Sequence, residues 1–156
     1  MKKIFLSIIT LFIASTIAFA DDKQDALNFF NSYVEAANSY NPIITQMYSP
    51  SAKIIRQVVK PDGTTVNVNT DTATYIKQMK LGQAGAKLRK YKNTYTNVAV
   101  TPVSNGYKVS SLRQPSGETY RLKAYMVMQK QPSGKWLIVE EMMQTKEQIL
   151  LKYAKN

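Results

Sequence analysis

The sequence contains neither cysteine nor histidine. Their absence removes disulfides, a thiolate nucleophile, the Ser-His pair, the commonest general base and the usual zinc and copper ligands. A chain of 156 residues is long enough to bury one core without disulfide support. Acids are scarce: 10 Asp and Glu stand against 21 Lys and Arg, for a net charge of +11. None lies between Asp71 and Glu118, where Lys77, Lys80, Lys87, Arg89, Lys90, Lys92, Lys108 and Arg113 are all basic. Such a stretch either meets anionic partners or is a solvated surface. No carboxylates have calcium-loop spacing, and Gly82-x-x-Gly85 lacks the Lys-Ser/Thr of a phosphate loop. No cofactor or metal is expected.

One apolar run is long. Lys2 and Lys3 precede Ile4 to Phe19, and Ala18-Phe19-Ala20 has the small-residue spacing of a signal-peptide cleavage site. Residues 1–20 are therefore expected to be a cleaved leader and residues 21–156 a single domain, periplasmic or secreted. The alternative, an uncleaved anchor, is disfavoured by a span short for a bilayer. No Cys follows the small residues, so nothing marks a lipoprotein.

Leu27, Phe30, Tyr33, Val34, Ala37 and Tyr40 recur at helical spacing after Asp21 and Asp22, which suit a helix start. Asn41-Pro42 should end that helix, with one short helical turn over Ile43 to Tyr48. Lys53 to Lys60 and Thr64 to Asn69 read as a hairpin about Pro61-Asp62-Gly63. Thr70 or Asp71 caps a second helix with Tyr75, Ile76, Met79 and Leu81 inward, and Gly82 and Gly85 mark its end. Tyr91 to Val103 alternates as a strand, Asn105-Gly106 turns it back, and Thr145-x-x-Gln148 resembles a capping box before a short C-terminal helix.

Two near-identical turns, Gln114-Pro115-Ser116-Gly117 and Gln131-Pro132-Ser133-Gly134, divide Tyr107 to Gln144 into three antiparallel strands. Bulged closure would place Gln114 opposite Glu118 and Gln131 opposite Lys135. One face would then carry Leu112, Tyr120, Leu122, Ala124, Met126, Met128, Ile138, Glu140 and Met142. The other would carry Arg113, Arg121, Lys123, Tyr125, Val127, Leu137, Val139, Glu141 and Met143. The first is mostly apolar and should be covered by helices. Glu140 would be a desolvated carboxylate there, suited to act as a base or to orient a ligand. Alternatively the strand bulges or ends near it, leaving Glu140 at the cone mouth paired with a Lys or Arg, and a slip of one residue would turn Glu141 inward.

The order helix, short helix, hairpin, helix and four-stranded meander resembles the nuclear transport factor 2-like superfamily. Further likeness lies in Phe29-Phe30 and Tyr33 on the first helix, in Met47-Tyr48-Ser49-Pro50-Ser51-Ala52-Lys53-Ile54, and in Gly134-Lys135-Trp136-Leu137-Ile138-Val139. The resemblance, to an exported bacterial member, implies an α+β fold: a cone-shaped, curved antiparallel sheet wrapped on N-terminal helices, with a short C-terminal helix. Two departures bear on activity. Ser51 stands where many relatives have an acid, and no acid lies between Glu35 and Asp62. The Asp, His and Tyr groups that enzymes of the superfamily place inside the cone are mostly missing.

The sequence thus reads as an exported, non-enzymatic binding protein whose cone holds a small apolar or amphipathic ligand, including one with an anionic, lipid-like head. Tyr33, Tyr120, Met126, Met128 and Glu140 would line the pocket. Tyrosine and methionine are also ordinary core residues. Lys87, Arg89, Lys90 and Lys92 would face an anionic membrane surface or an envelope protein. A homodimer is compatible with this reading; nucleic acid is not an expected partner. The alternatives are an envelope protein–protein module and an isomerase- or dehydratase-like enzyme using Glu140 with a pocket tyrosine. N-terminal sequencing of protein from the envelope fraction should give Asp21 as the first residue; an intact Met1 on membrane-bound material would refute cleavage.

Overall fold

In the computed structural model, which describes residues 21–154, the aromatic stripe near the start of the chain forms helix α1 (residues 21–38). Ala26, Phe30, Tyr33 and Ala36 are buried along one side, as expected for a helix with a single inward face. The expected leader and its cleavage point lie outside the described residues. Tyr40, at φ +59, takes the left-handed position that ends the helix. The amides of Tyr40 and Asn41 donate to the carbonyls of Ala37 and Ala36 at 3.3 and 2.9 Å, satisfying groups that a helix end leaves free. Asn41 then caps a 3₁₀ turn over Pro42–Gln46, its side chain accepting from the Ile43 amide.

Six strands follow: β1 (Tyr48–Val59), β2 (Thr65–Thr70), β3 (Asn93–Val103), β4 (Gly106–Pro115), β5 (Leu122–Lys130) and β6 (Trp136–Thr145). Helix α2 (Thr72–Leu88) lies between β2 and β3, and a 3₁₀ turn over Gln148–Tyr153 follows β6. The strands make one sheet in the order β2-β1-β6-β5-β4-β3. Neighbours are antiparallel except β1 and β6, which run parallel. The core lies between the sheet and α1, where Phe30 and Tyr33 meet Ile54, Val109, Met126, Met128 and Ile138.

Several local expectations shift. Asp71 caps α2 by accepting from the Thr74 amide at 2.9 Å, and Tyr75, Ile76 and Met79 pack against the core. Leu81 points outward instead, 74% exposed. The helix also runs through Gly82 and Gly85 to Leu88. A tertiary tie offsets their poor helix propensity: the Gln83 side chain donates to the Tyr40 carbonyl at 2.6 Å. At the C-terminal end, Thr145 accepts from the Glu147 amide, while the Gln148 side chain reaches the Val59 carbonyl. The expected capping box is therefore not formed.

The two Pro-Ser-Gly turns behave differently. The second closes as expected, with the Gln131 amide donating to the Lys135 carbonyl at 2.8 Å. The first is followed by four more loop residues, Glu118 to Arg121, so Arg113, not Gln114, sits at the end of the ladder, opposite Leu122. The Gln114 side chain holds that loop, donating to the Glu118 carbonyl and accepting from Arg121. The longer loop reverses the faces of β4: Tyr107, Val109, Ser111 and Arg113 are buried and Leu112 turns outward.

A second irregularity lies in β6. Val127 pairs with Glu140 and Met128 with Ile138, so Val139 has no partner and forms a bulge. Beyond it the faces exchange. Ile138, Glu141 and Met143 face inward, and Glu140 and Met142 face outward.

Glycine matters most at Gly106, where φ is +152 and an added Cβ would lie 2.1 Å from the Met128 carbonyl oxygen. Gly106→Ala should lose roughly 2 kcal/mol or more. Gly82→Ala, inside α2 with open space around it, should gain about 0.5–1 kcal/mol. Urea unfolding midpoints for the two variants should therefore move in opposite directions.

Candidate functional site

Glu141 is wholly buried. It faces inward because of the Val139 bulge, and it lies beside Ile54 of β1 and opposite Met126 of β5. Two residues beyond Ile54 on the same face of β1 stands Arg56, whose Nη2 lies 2.8 Å from Glu141 Oε1. Tyr75, from the first turn of α2, donates to the same oxygen at 3.1 Å. Tyr48, from the start of β1, donates to Oε2. Its hydroxyl oxygen lies 3.4 Å from that of Tyr33 on α1, so Tyr33 can donate to Tyr48 in turn. The rings pack edge to face, Tyr33 on Tyr48 and Tyr48 on Tyr75, and the Arg56 guanidinium lies 4.8 Å from the Tyr75 ring centre.

Burial pushes the Tyr33 and Tyr48 hydroxyls well above the ordinary tyrosine value, and the Glu141 charge adds to the effect. Burial also brings Tyr75 up to about 12, against the opposing pull of Arg56. All three stay protonated as donors at neutral pH. Both Glu141 oxygens are already occupied by protein donors and neither reaches solvent. The cluster is a buried structural network, and a substrate proton would have to displace one of its members.

Above this network opens a cleft of about 1140 Å³, lined from both helices, all six strands, the β4–β5 loop and the last 3₁₀ turn. Tyr33, Arg56, Tyr75, Tyr95 and Met143 are among its lining residues, with Tyr91, Tyr120, Leu150 and Tyr153 also contributing. Arg113 reaches it from β4 and is 8% exposed. Its Nη1 and Nη2 each donate at 2.8 Å, to Asn93 Oδ1 and the Gln144 carbonyl. Among the described residues, no three Asp or Glu side chains converge as metal ligands would.

Of the expected site residues, Tyr33 and Tyr120 line the cleft. Met126 and Met128 do not; they are core residues, 2% and 0% exposed. Glu140 is on the other face of the sheet, accepting at 2.5 Å from Tyr125, whose ring lies under Lys108 Nζ. Lys87, Arg89, Lys90 and Lys92 are exposed, and none lines the cleft, although Tyr91 and Asn93 between and beside them do. Arg56 was missed by the sequence reading. Its signal was a lone cation in the alternating row Ile54, Arg56, Val58. Arg113 was placed outward because the first turn was read as a tight hairpin.

No protein-family model and no curated protein sequence matches the chain. Solved structures do. An NTF2-like protein of unknown function from Pseudomonas putida superposes with a TM-score of 0.63 at 10% identity, over 88% of this chain and 94% of that one. The chain has the nuclear transport factor 2-like fold. Nuclear transport factor 2 from Cryptosporidium parvum gives a TM-score of 0.58 at 12% identity, over 79% of this chain and 93% of that one. A candidate ketosteroid isomerase from Shewanella frigidimarina gives 0.53 at 18% identity, over 74% and 91%. Within a nuclear transport factor 2-like fold, the cleft described above is the open end of the cone.

The raised tyrosines predict an alkaline limit to stability. Since their folded values exceed the unfolded one, the unfolded chain releases these protons first as pH rises. The stability linked to them is complete below about pH 10. It is then lost as pH climbs towards the Tyr75 value of about 12. Urea midpoints should stay flat to about pH 9 and fall steeply above about 10, and most tyrosinate absorbance should appear together with unfolding. Titration of all ten tyrosines near the ordinary value, without unfolding, would refute the buried network.

Proposed function

We propose that this protein is an exported, non-enzymatic binding protein that holds a small amphipathic molecule in the mouth of its cone. One observation supports this above the others: beside the cleft of about 1140 Å³, the buried Glu141 carboxylate already accepts from protein donors on both oxygens. A general base must come within hydrogen-bond reach of a substrate proton, and Glu141 is covered by Arg56, Tyr48 and Tyr75. Glu140, the other candidate, faces away from the cleft. The inner lining offers ring faces, apolar carbon and hydroxyls, which suit binding and orientation, and the acids Asp71, Glu118 and Glu147 stand exposed at its outer part.

The apolar run and small-residue ending of residues 1–20 support export. The exposed Lys87, Arg89, Lys90 and Lys92, beside one edge of the mouth, would draw the protein towards an anionic surface. Each such contact contributes roughly 1 kcal/mol near a charged membrane and is screened by salt.

A neutral, environment-sensitive naphthylamine dye tests the cleft. It should bind saturably with enhanced fluorescence, and Gln78→Trp, which places a large ring on the cleft side of α2, should weaken binding at least tenfold without lowering the melting temperature. Equal binding by wild type and variant would place the dye elsewhere and remove the support for this function.

A further inference from the structure

The cone contains two largely buried guanidinium groups, and they differ in one respect. Arg56 has a carboxylate partner in Glu141. Arg113 has none: among the described residues its partners are a side-chain amide oxygen and a backbone carbonyl, both uncharged. Its Nε is buried and has no hydrogen-bond partner. The Ser111 hydroxyl, two residues earlier on the same inner face of β4, is also buried and unpartnered. Buried polar groups are almost always paired, and buried charges are paired or neutralised. Here the missing partner has a defined character, since a guanidinium has five donors in a planar fork that matches two oxygens of one anion.

The fork is held in place before any ligand arrives. Asn93, which receives Nη1, is itself fixed to α1, its amide donating to Asn38 Oδ1 and its carbonyl accepting from Asn38 Nδ2, both at 2.9 Å. Tyr95 lies opposite Arg113 on β3 and, with Tyr120, lines the cleft beside it. The outer part carries charge of both signs. Asp71, Glu118 and Glu147 are exposed there, with Lys146 and Lys152 over the rings of Tyr120 and Tyr153, so the cations of the outer part have acids beside them and the buried Arg113 does not.

We propose that Arg113 anchors the single anionic head, a carboxylate or phosphate monoester, of a small molecule whose aromatic or apolar body lies against Tyr95 and Tyr120. This deepens the binding function proposed above and depends on it.

The test is a low-salt NMR titration of isotope-labelled protein with 2-naphthoate, 2-naphthyl phosphate and the uncharged 2-naphthamide. Both anions should bind at least tenfold more tightly than the amide and shift the Arg113 Nε–H resonance; the tighter anion identifies the head group. Arg113→Gln should bring all three to similar affinity, and Arg113→Lys should keep part of the preference. If the amide binds wild type as tightly as the anions and shifts cleft resonances, the head-group assignment fails while the cleft remains a binding site. If none of the three shifts a cleft resonance, both fail. An undiminished preference in Arg113→Gln would also overturn the proposal, since the anion would then be held elsewhere. Should Arg113→Gln not fold, the wild-type comparison of anion with amide and the Arg113→Lys variant decide the matter.

Discussion

One constraint governs this fold: a carboxylate placed in the middle of the core must be satisfied there. Glu141 is completely buried, and its cluster draws on four elements: β6 carries it, β1 supplies Arg56 and Tyr48, α2 supplies Tyr75, and α1 supplies Tyr33 behind Tyr48. The cluster is therefore where helices and sheet are joined by directional contacts as well as by apolar packing. Two unit charges ~4 Å apart attract by about 4 kcal/mol at the effective dielectric of such sites, while desolvation costs several kcal/mol per ion. The net contribution of the ion pair is thus small. Its larger effect is on alternatives, because a slip of β1 against β6 would leave an ion buried without its partner, at about 3–5 kcal/mol. The network selects the register more than it stabilises the fold.

The same constraint explains the bulge. Ile138 and Glu141 are three apart in sequence, so in a regular strand they would face opposite sides. Leaving Val139 unpaired lets both face inward. It also sends Glu140 to the outer face, where Tyr125 receives it. Two adjacent glutamates thus take separate roles, one inside and one outside, each with a tyrosine donor.

Period and turn chemistry made most of the architecture legible. The aromatic stripe of α1, the cap at Asp71, the alternation in β1 to β3 and the Asn105-Gly106 turn each act over a few residues, and the order of elements follows from them. The inward row Leu122, Ala124, Met126, Met128 and Ile138 was also readable, because the Gln131 turn closes as its sequence suggests. What failed were features decided by distant contacts. The first Pro-Ser-Gly turn was read as a tight hairpin although its loop is longer, and one changed register reversed β4 and hid Arg113. Gly82 and Gly85 looked like a helix end because the tie from Gln83 to Tyr40 spans 43 positions and has no local signature. Which of Glu140 and Glu141 faces inward stayed open in the sequence, because a bulge is a property of two strands and cannot be seen in one.

These corrections move the functional centre of the molecule. With Glu140 facing inward, the interior would hold an unpaired, desolvated carboxylate among methionines, an arrangement that points to proton transfer. With Glu141 inward, the same interior holds a neutralised pair and a tyrosine floor, and the unsatisfied charge is a cation at the mouth. The long acid-free segment takes on a different meaning as well. Lys87, Arg89, Lys90 and Lys92 lie on the exterior, whereas Arg113, the last basic residue of the same segment, faces the cleft. A surface of exposed lysines attracts any anion and is weakened by salt. As proposed, the single buried fork of Arg113 would select an anion by geometry, and low dielectric would strengthen its grip. The affinity of the cone for its ligand should therefore depend on Arg113, with the exterior charges governing only how often the protein meets an anionic surface.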